Sequence, residues 1–334
     1  MTKVKIGLIG AGRMGSFHGT TAAKRLDNAE LVAIADPFKP NAERLANELG
    51  VSKVYENPKD LLADEEVEAV IIATPARTHS SWVIAAAEAG KGIFCEKPMA
   101  VTAQEAEDAI AAVAKAGVQL QIGFNRRFVD DFTQAGKEIR ENRIGEPQLL
   151  RSLTRDPGLN NAEKIPEWTI FLETLIHDFD TLNFLNPNAD PVSVYASADA
   201  LIRPDLKDNG LLDTAVVTIK YSNGAIATAE ANFQAVYGYD VRGEVFGTEG
   251  MLSLGNIRMN SMVRYTKDGI SHDTSRQDTD LLFNAYVTEM NQFANCVRYD
   301  TTPTPSGNDA KKALAIALAC IESVKTGAVA PVIL

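Results

Sequence analysis

The segment Gly10-Ala11-Gly12-Arg13-Met14-Gly15 restricts the folds open to this chain more than any other. It follows a short apolar run over 4–10 and opens a helical stretch, so the pattern G-x-G-x-x-G lies between a strand and a helix. In that context each glycine has its own reason. The first permits a tight turn, the second lets a pyrophosphate approach the backbone, and the third lets helix and strand pack closely. The helix that starts with Arg13 and Met14 then offers unpaired N–H groups to phosphate oxygens. Asp36 closes a second apolar run over 30–36, roughly 20 residues beyond the loop. A carboxylate there takes hydrogen bonds from the ribose hydroxyls of NAD and repels the 2′-phosphate of NADP, so NAD is the expected cofactor.

Further apolar runs over 68–74, 92–98 and 118–124 alternate with helical stretches over 40–49, 79–89 and 102–116. This alternation indicates βαβ units and a parallel sheet buried on both faces. The pattern changes after residue 125. Strand-like segments such as SVYASADAL, TAVVTIKY and AIATAEANF follow, and Asn223-Gly224 marks a hairpin between two of them. Helices are expected over 130–142, 168–185, 283–298 and 307–326. The fold class is therefore α/β. Residues 1–124 form an N-terminal Rossmann domain with a parallel sheet, and 125–334 form a C-terminal α+β domain built on a largely antiparallel sheet.

Ligands bind beyond the carboxyl ends of strands in such sheets. The third run ends in Ala73-Thr74-Pro75, with His79 opening the next helix, and the fourth ends in Glu96-Lys97-Pro98. All are expected to flank the cofactor. A partly desolvated lysine there could exchange a proton with a substrate hydroxyl, with Glu96 holding it in place. On the predicted helix beyond Trp168, Glu173, His177 and Asp180 fall at i, i+4 and i+7 and share a face. His177 has the intrinsic range to pass a proton near neutrality, and Glu173 or Asp180 could orient it. Those three residues alone make an incomplete metal site, and no metal is expected.

The net charge of −11 disfavours nucleic-acid binding. No apolar run approaches the roughly 18 residues of a membrane helix, and the N-terminus lacks the features of a signal peptide. Cys95, Cys296 and Cys320 are far apart and read as buried reduced thiols. A cytoplasmic protein without membrane partners is expected.

Taken together, GAGRMG, Ala35-Asp36-Pro37, ATPARTH, Glu96-Lys97-Pro98 and IHDFD resemble the Gfo/Idh/MocA dehydrogenase family over nearly the whole chain. Gly123 to Asp130, Arg155-Asp156-Pro157 and Tyr237 to Asp240 most resemble its inositol-oxidising members. The resemblance implies NAD-dependent oxidation of a cyclitol, with myo-inositol going to its 2-keto form. It implies Lys97 and His177 as the catalytic pair, with Glu173 four residues before the histidine where those members carry aspartate. It implies substrate contacts from Arg127, Asp156, Thr174 and Tyr237, with Tyr239 an alternative to the last. A cis peptide before Pro98, a pocket shaped partly by residues 158–166 and a homotetramer are implied as well. Another sugar dehydrogenase of the family is the alternative substrate reading. A non-catalytic NAD-binding regulator would have no need of both Lys97 and His177.

Overall fold

The computed structural model describes residues 3–159 and 161–334; Asn160, in the loop expected to shape the pocket, lies outside the described residues. The chain divides into two compact units. One holds the residues up to Phe128 with Asn284–Lys311, and the other holds Val129–Phe283 with Lys312–Leu334.

The first unit alternates strands and helices: β1 (Val4–Ile9), α1 (Arg13–Lys24), β2 (Ala29–Ala35), α2 (Lys39–Leu49), β3 (Lys53–Tyr55), α3 (Pro58–Leu62), β4 (Ala69–Ile72), α4 (His79–Glu88), β5 (Gly92–Cys95), α5 (Ala103–Ala116) and β6 (Leu120–Ile122). The strands make a six-stranded sheet in the order β3-β2-β1-β4-β5-β6, and every pair is parallel. The order reverses beside β1, which puts the glycine loop at the switch point where dinucleotides bind such sheets. β4 and β5 are buried at every position, as strands covered on both faces must be. The short β3 and α3 carry no strong periodicity and were not expected from the sequence.

The second unit holds α6 (Asp130–Arg140), β7 (Pro147–Arg155), α7 (Leu175–Phe184), β8 (Pro191–Asp199), β9 (Thr214–Tyr221), β10 (Ile226–Asn232), β11 (Asp240–Gly247) and β12 (Met251–Leu254), then the small ribbon of β13 (Arg264–Thr266) and β14 (Gly269–Ser271). After the short α8 (Asp278–Leu281) come α9 (Phe283–Tyr299), α10 (Gly307–Thr326) and β15 (Ala330–Pro331). Its seven-stranded sheet runs β12-β11-β7-β10-β9-β8-β15 and is antiparallel except for β7 with β10. Between β9 and β10, Gly224 turns with φ +90°, the backbone that Asn-Gly hairpins require. β9 alternates strictly: Ala215, Val217, Ile219 and Tyr221 are buried, while Val216, Thr218 and Lys220 are exposed. One face of this sheet therefore builds a core and the other stays open.

The sequence reading assigns everything after residue 124 to the second domain. In the structure most of α9 packs with the first unit. Its Met290 and Phe293 are fully buried in the same cluster as Ile6, Leu8, Ile71 and Phe94, and the rings of Phe94 and Phe293 meet edge to face at 5.8 Å. An amphipathic helix goes where its apolar stripe finds a matching surface, whatever its place in the chain.

Candidate functional site

Gly10 has φ +98°, and a Cβ on it would stand 2.5 Å from the Ala73 carbonyl oxygen. A Cβ on Gly15 would fall onto the Gly10 carbonyl oxygen. These two glycines are fixed by the protein's own packing. Gly12 is different: a Cβ there meets nothing within 4 Å, so its space is left open on the outer side. Gly12 also caps α1 with no side-chain hydrogen bond, and no acidic residue lies in the first turn. The exposed Arg13 and half-buried Met14 begin the helix. An uncapped helix end behind an open glycine fits an anionic pyrophosphate. Asp36, at the end of β2, accepts the Ala11 N–H at 2.7 Å and the Phe38 N–H at 2.8 Å, so its carboxylate is oriented beside the loop. Lys39, the nearest cation along the chain, extends toward Glu43 at 3.6 Å. These residues fit NAD: the loop amides would hold the pyrophosphate and Asp36 the adenosine ribose.

Ala73 and Thr74 are half-buried at the end of β4, and Pro75 is exposed. His79 and Glu96, both expected beside the cofactor, each have protein partners. His79 is 2% exposed; its Nδ1 lies 2.7 Å from the Pro98 carbonyl oxygen and its Nε2 2.7 Å from that of Thr74. A neutral imidazole can donate to one of these at a time, an imidazolium to both. Glu96 is buried. Its Oε1 lies 2.6 Å from Nε2 of the fully buried His18 on α1, and its Oε2 accepts the Lys97 N–H at 3.2 Å. Burial opposes the charge of Glu96, but the hydrogen bond and charge of His18, with Lys97 and His79, outweigh it and hold the carboxyl below its usual range. Nε2 of His18 must then carry the proton. Lys97 itself is half-buried and joined to Pro98 by a cis peptide bond.

A second carboxyl lies within the Coulomb field of Glu96. Glu289 of α9 is fully buried, and neither oxygen has a hydrogen-bond partner among the described residues. Burial, aided by the Glu96 charge, pushes its ionisation well above the ordinary range. Neither His18 nor Glu289 stands out in the sequence as a site residue. The available signal was Glu289 itself, a carboxyl on the apolar stripe of α9 between Tyr286, Met290 and Phe293.

In the second unit the helix expected over 168–185 starts in a wider winding. Ile170–Thr174 forms a π-helical turn, and α7 begins at Leu175. Glu173 lies in the π turn, and His177 and Asp180 lie on α7. Asp180 is 1% exposed and acts electrostatically on the buried Tyr221 phenol, so it belongs to this unit's core. Thr174 is buried, while Glu173 and His177 are half-buried. The residue that fixes α7 is Asp178, which the sequence reading did not select. Its carboxylate is fully buried and accepts Ser152 Oγ and Thr154 Oγ1 of β7, each at 2.6 Å.

Asp156 follows β7, with its backbone paired to Asn232 and Ala235. Tyr237 donates to Asp240 at 2.7 Å and is hydrogen-bonded by Arg155, while Asp240 also takes two bonds from Arg242. Tyr239 is tied through its backbone to Ser275. Arg127, in the first unit, pairs with Asp309 at 2.9 Å. Burial opposes the Asp309 charge, but Arg127 and Ser306 hold the carboxyl below its ordinary value.

Residues 4–124 match a family model described as an oxidoreductase family, NAD-binding Rossmann fold. Residues 137–334 match that of the oxidoreductase family, C-terminal alpha/beta domain. The chain is 36% identical to scyllo-inositol 2-dehydrogenase (NAD(+)) of Bacillus subtilis, with 97% of this chain and 95% of that protein covered. It is 34% identical to myo-inositol 2-dehydrogenase of Thermotoga maritima, with 96% of each covered. Scyllo-inositol dehydrogenase of Lactobacillus casei, solved with NAD(H) and scyllo-inositol, superposes with a TM-score of 0.95 at 27% identity over 99% of both chains.

Proposed function

The chain belongs to the Gfo/Idh/MocA oxidoreductase family, and within it we propose an NAD-dependent dehydrogenase that oxidises one secondary alcohol of an inositol ring to the ketone, with myo-inositol as the expected substrate. The full-length likeness to inositol dehydrogenases, through both domains, carries this reading. NAD, when bound, supplies the hydride acceptor. The chain's own residues do the rest. His177 takes the hydroxyl proton, with the Glu173 carboxylate supporting the charge it gains. Lys97 donates to the same oxygen as carbonyl character develops. Asp156, Thr174, Arg127 braced by Asp309, and Tyr237 oriented by Asp240 read the remaining hydroxyls. A polyol needs many placed polar partners, because a site that loses one is heavily penalised.

Oxidation of the axial hydroxyl of myo-inositol and of any hydroxyl of scyllo-inositol gives the same ketone, so the substrate must be identified by rate. NADH formation is measured with a panel of inositol isomers and hexoses. Turnover of myo-inositol above the others is the expected result. Turnover of a hexose without any inositol would overturn the assignment.

The reading includes a cytoplasmic homotetramer. The three free cysteines are all buried, which suits a reducing compartment. No helix among the described residues is long and apolar enough to cross a membrane. The open face of the seven-stranded sheet exposes Leu149, Tyr195, Val216, Ile226, Phe246 and Met251, an apolar surface suited to a second copy of the chain. Light scattering on the purified protein gives the copy number.

A further inference from the structure

Lys97 lies between two residues that are each fastened by a buried histidine. On one side Glu96 receives His18 of α1 on Oε1 and the Lys97 N–H on Oε2. On the other side Nδ1 of His79 lies 2.7 Å from the Pro98 carbonyl oxygen, and its Nε2 lies 2.7 Å from the Thr74 carbonyl oxygen at the end of β4. We propose that His18 and His79 are positioning residues that clamp the backbone on both sides of Lys97 and so set the aim of its ammonium group.

This rests on the reading of Lys97 as a proton-handling residue. The clamp explains two features that a passive core does not require. A carboxylate and a histidine are kept in a site lined by Phe17, Phe94 and Tyr286, where apolar side chains would pack at less desolvation cost. His79 opens α4, yet it turns inward and joins the ends of two strands. The loop bearing Thr74 and the loop bearing Lys97 are thereby one body. A misplacement of about 1 Å in a reacting group is enough to slow chemistry about 100-fold, so a rigid mount has kinetic value.

The test measures kcat, both KM values and the pH profile of kcat. Folding is checked by circular dichroism and cofactor binding by NADH fluorescence. His18→Leu and His79→Leu should each lower kcat about 10- to 100-fold with KM for NAD near wild type. His18→Gln places an amide N–H near the Nε2 position and should restore most of the rate. His79→Asn reaches the Pro98 carbonyl and should restore more than His79→Gln, which reaches Thr74 instead. The groups around Glu96 are Cys95 and Lys97 on its own segment, His18 on α1, His79 on α4 and Glu289 on α9. Without His18, Glu96 holds a proton to higher pH, so the acid limb of the His18→Leu profile should move upward. A purely structural role would lower the melting temperature and leave that limb in place.

Leucine variants that fold with wild-type kcat and profile, or leucine and amide variants that behave alike, would overturn the clamp. Lys97→Ala separates the two ideas: a wild-type rate in that variant sinks the catalytic reading itself. If His18→Leu does not fold, the His79 series decides by the same measurements.

Discussion

The Asp36 carboxylate and the Ala11 backbone N–H are 2.7 Å apart, which joins the end of β2 to the middle of the glycine loop. Asp36 therefore both orients the loop and presents charge beside it. Hydrogen bonds to a charged group contribute roughly 1.5–3 kcal/mol. Asp36→Ala should raise KM for NAD about 10- to 100-fold and narrow the preference over NADP. Kinetics with both cofactors check this; an unchanged preference would remove Asp36 from the ribose site.

Gly12 and Gly15 belong to one motif but should fail in different ways. Alanine at 15 collides with the Gly10 carbonyl, so Gly15→Ala should lower the melting temperature and abolish NAD binding together. Alanine at 12 meets no protein atom, so Gly12→Ala should keep the melting temperature and lose NAD affinity alone. Calorimetry of folding and of NAD binding distinguishes them. Normal affinity in Gly12→Ala would move the pyrophosphate elsewhere.

Lys97→Ala and His177→Ala should each lower kcat about 10²- to 10⁴-fold, the range for a lost general acid or base. NADH binding by fluorescence should stay near wild type. Rates close to wild type in both variants would make the catalytic assignment untenable.

The strands, helices and glycine turn were legible because they rest on local pattern. The close turn of Gly15 on Gly10, the Asn223-Gly224 hairpin and the alternation of β9 each need only neighbours in sequence. Long-range pairing was not legible. Nothing local indicates that His18 meets Glu96, 78 positions away, or that Arg127 meets Asp309. The π turn at Ile170–Thr174 leaves no mark in a 3.6-residue pattern, and the partners of Asp178 on β7 lie 24 and 26 positions away. The return of α9 to the first unit was hidden for a related reason. Its apolar stripe shows that it packs, but not on which sheet.

Asp178 ties α7 to β7. Both of its oxygens accept hydroxyls of β7, and Asp178→Ala would remove the acceptor of both buried hydroxyls. An unsatisfied buried group costs about 1–3 kcal/mol, so the variant should lose at least about 2 kcal/mol in denaturant unfolding. Because the adjacent residue is His177, kcat should fall further than the lost folded fraction accounts for. A stability loss with unchanged kcat per folded molecule would confine Asp178 to the core.

Glu289 gives the protein a stability that depends on pH in a stated direction. The unfolded carboxyl releases its proton near its ordinary value of 4.5, while the folded one, fully buried, keeps it to much higher pH. Above 4.5 the native state therefore binds more protons than the unfolded state, and this group's contribution falls as pH rises until the raised folded value is reached. Each pH unit in that window removes about 1.4 kcal/mol. Glu289→Gln keeps the size and neutrality of the acid without a proton to release. Its unfolding free energy should match wild type near pH 4 and exceed it progressively toward neutrality. A difference that is flat across this range, or that grows toward acid, would mean that Glu289 is ionised in the folded protein.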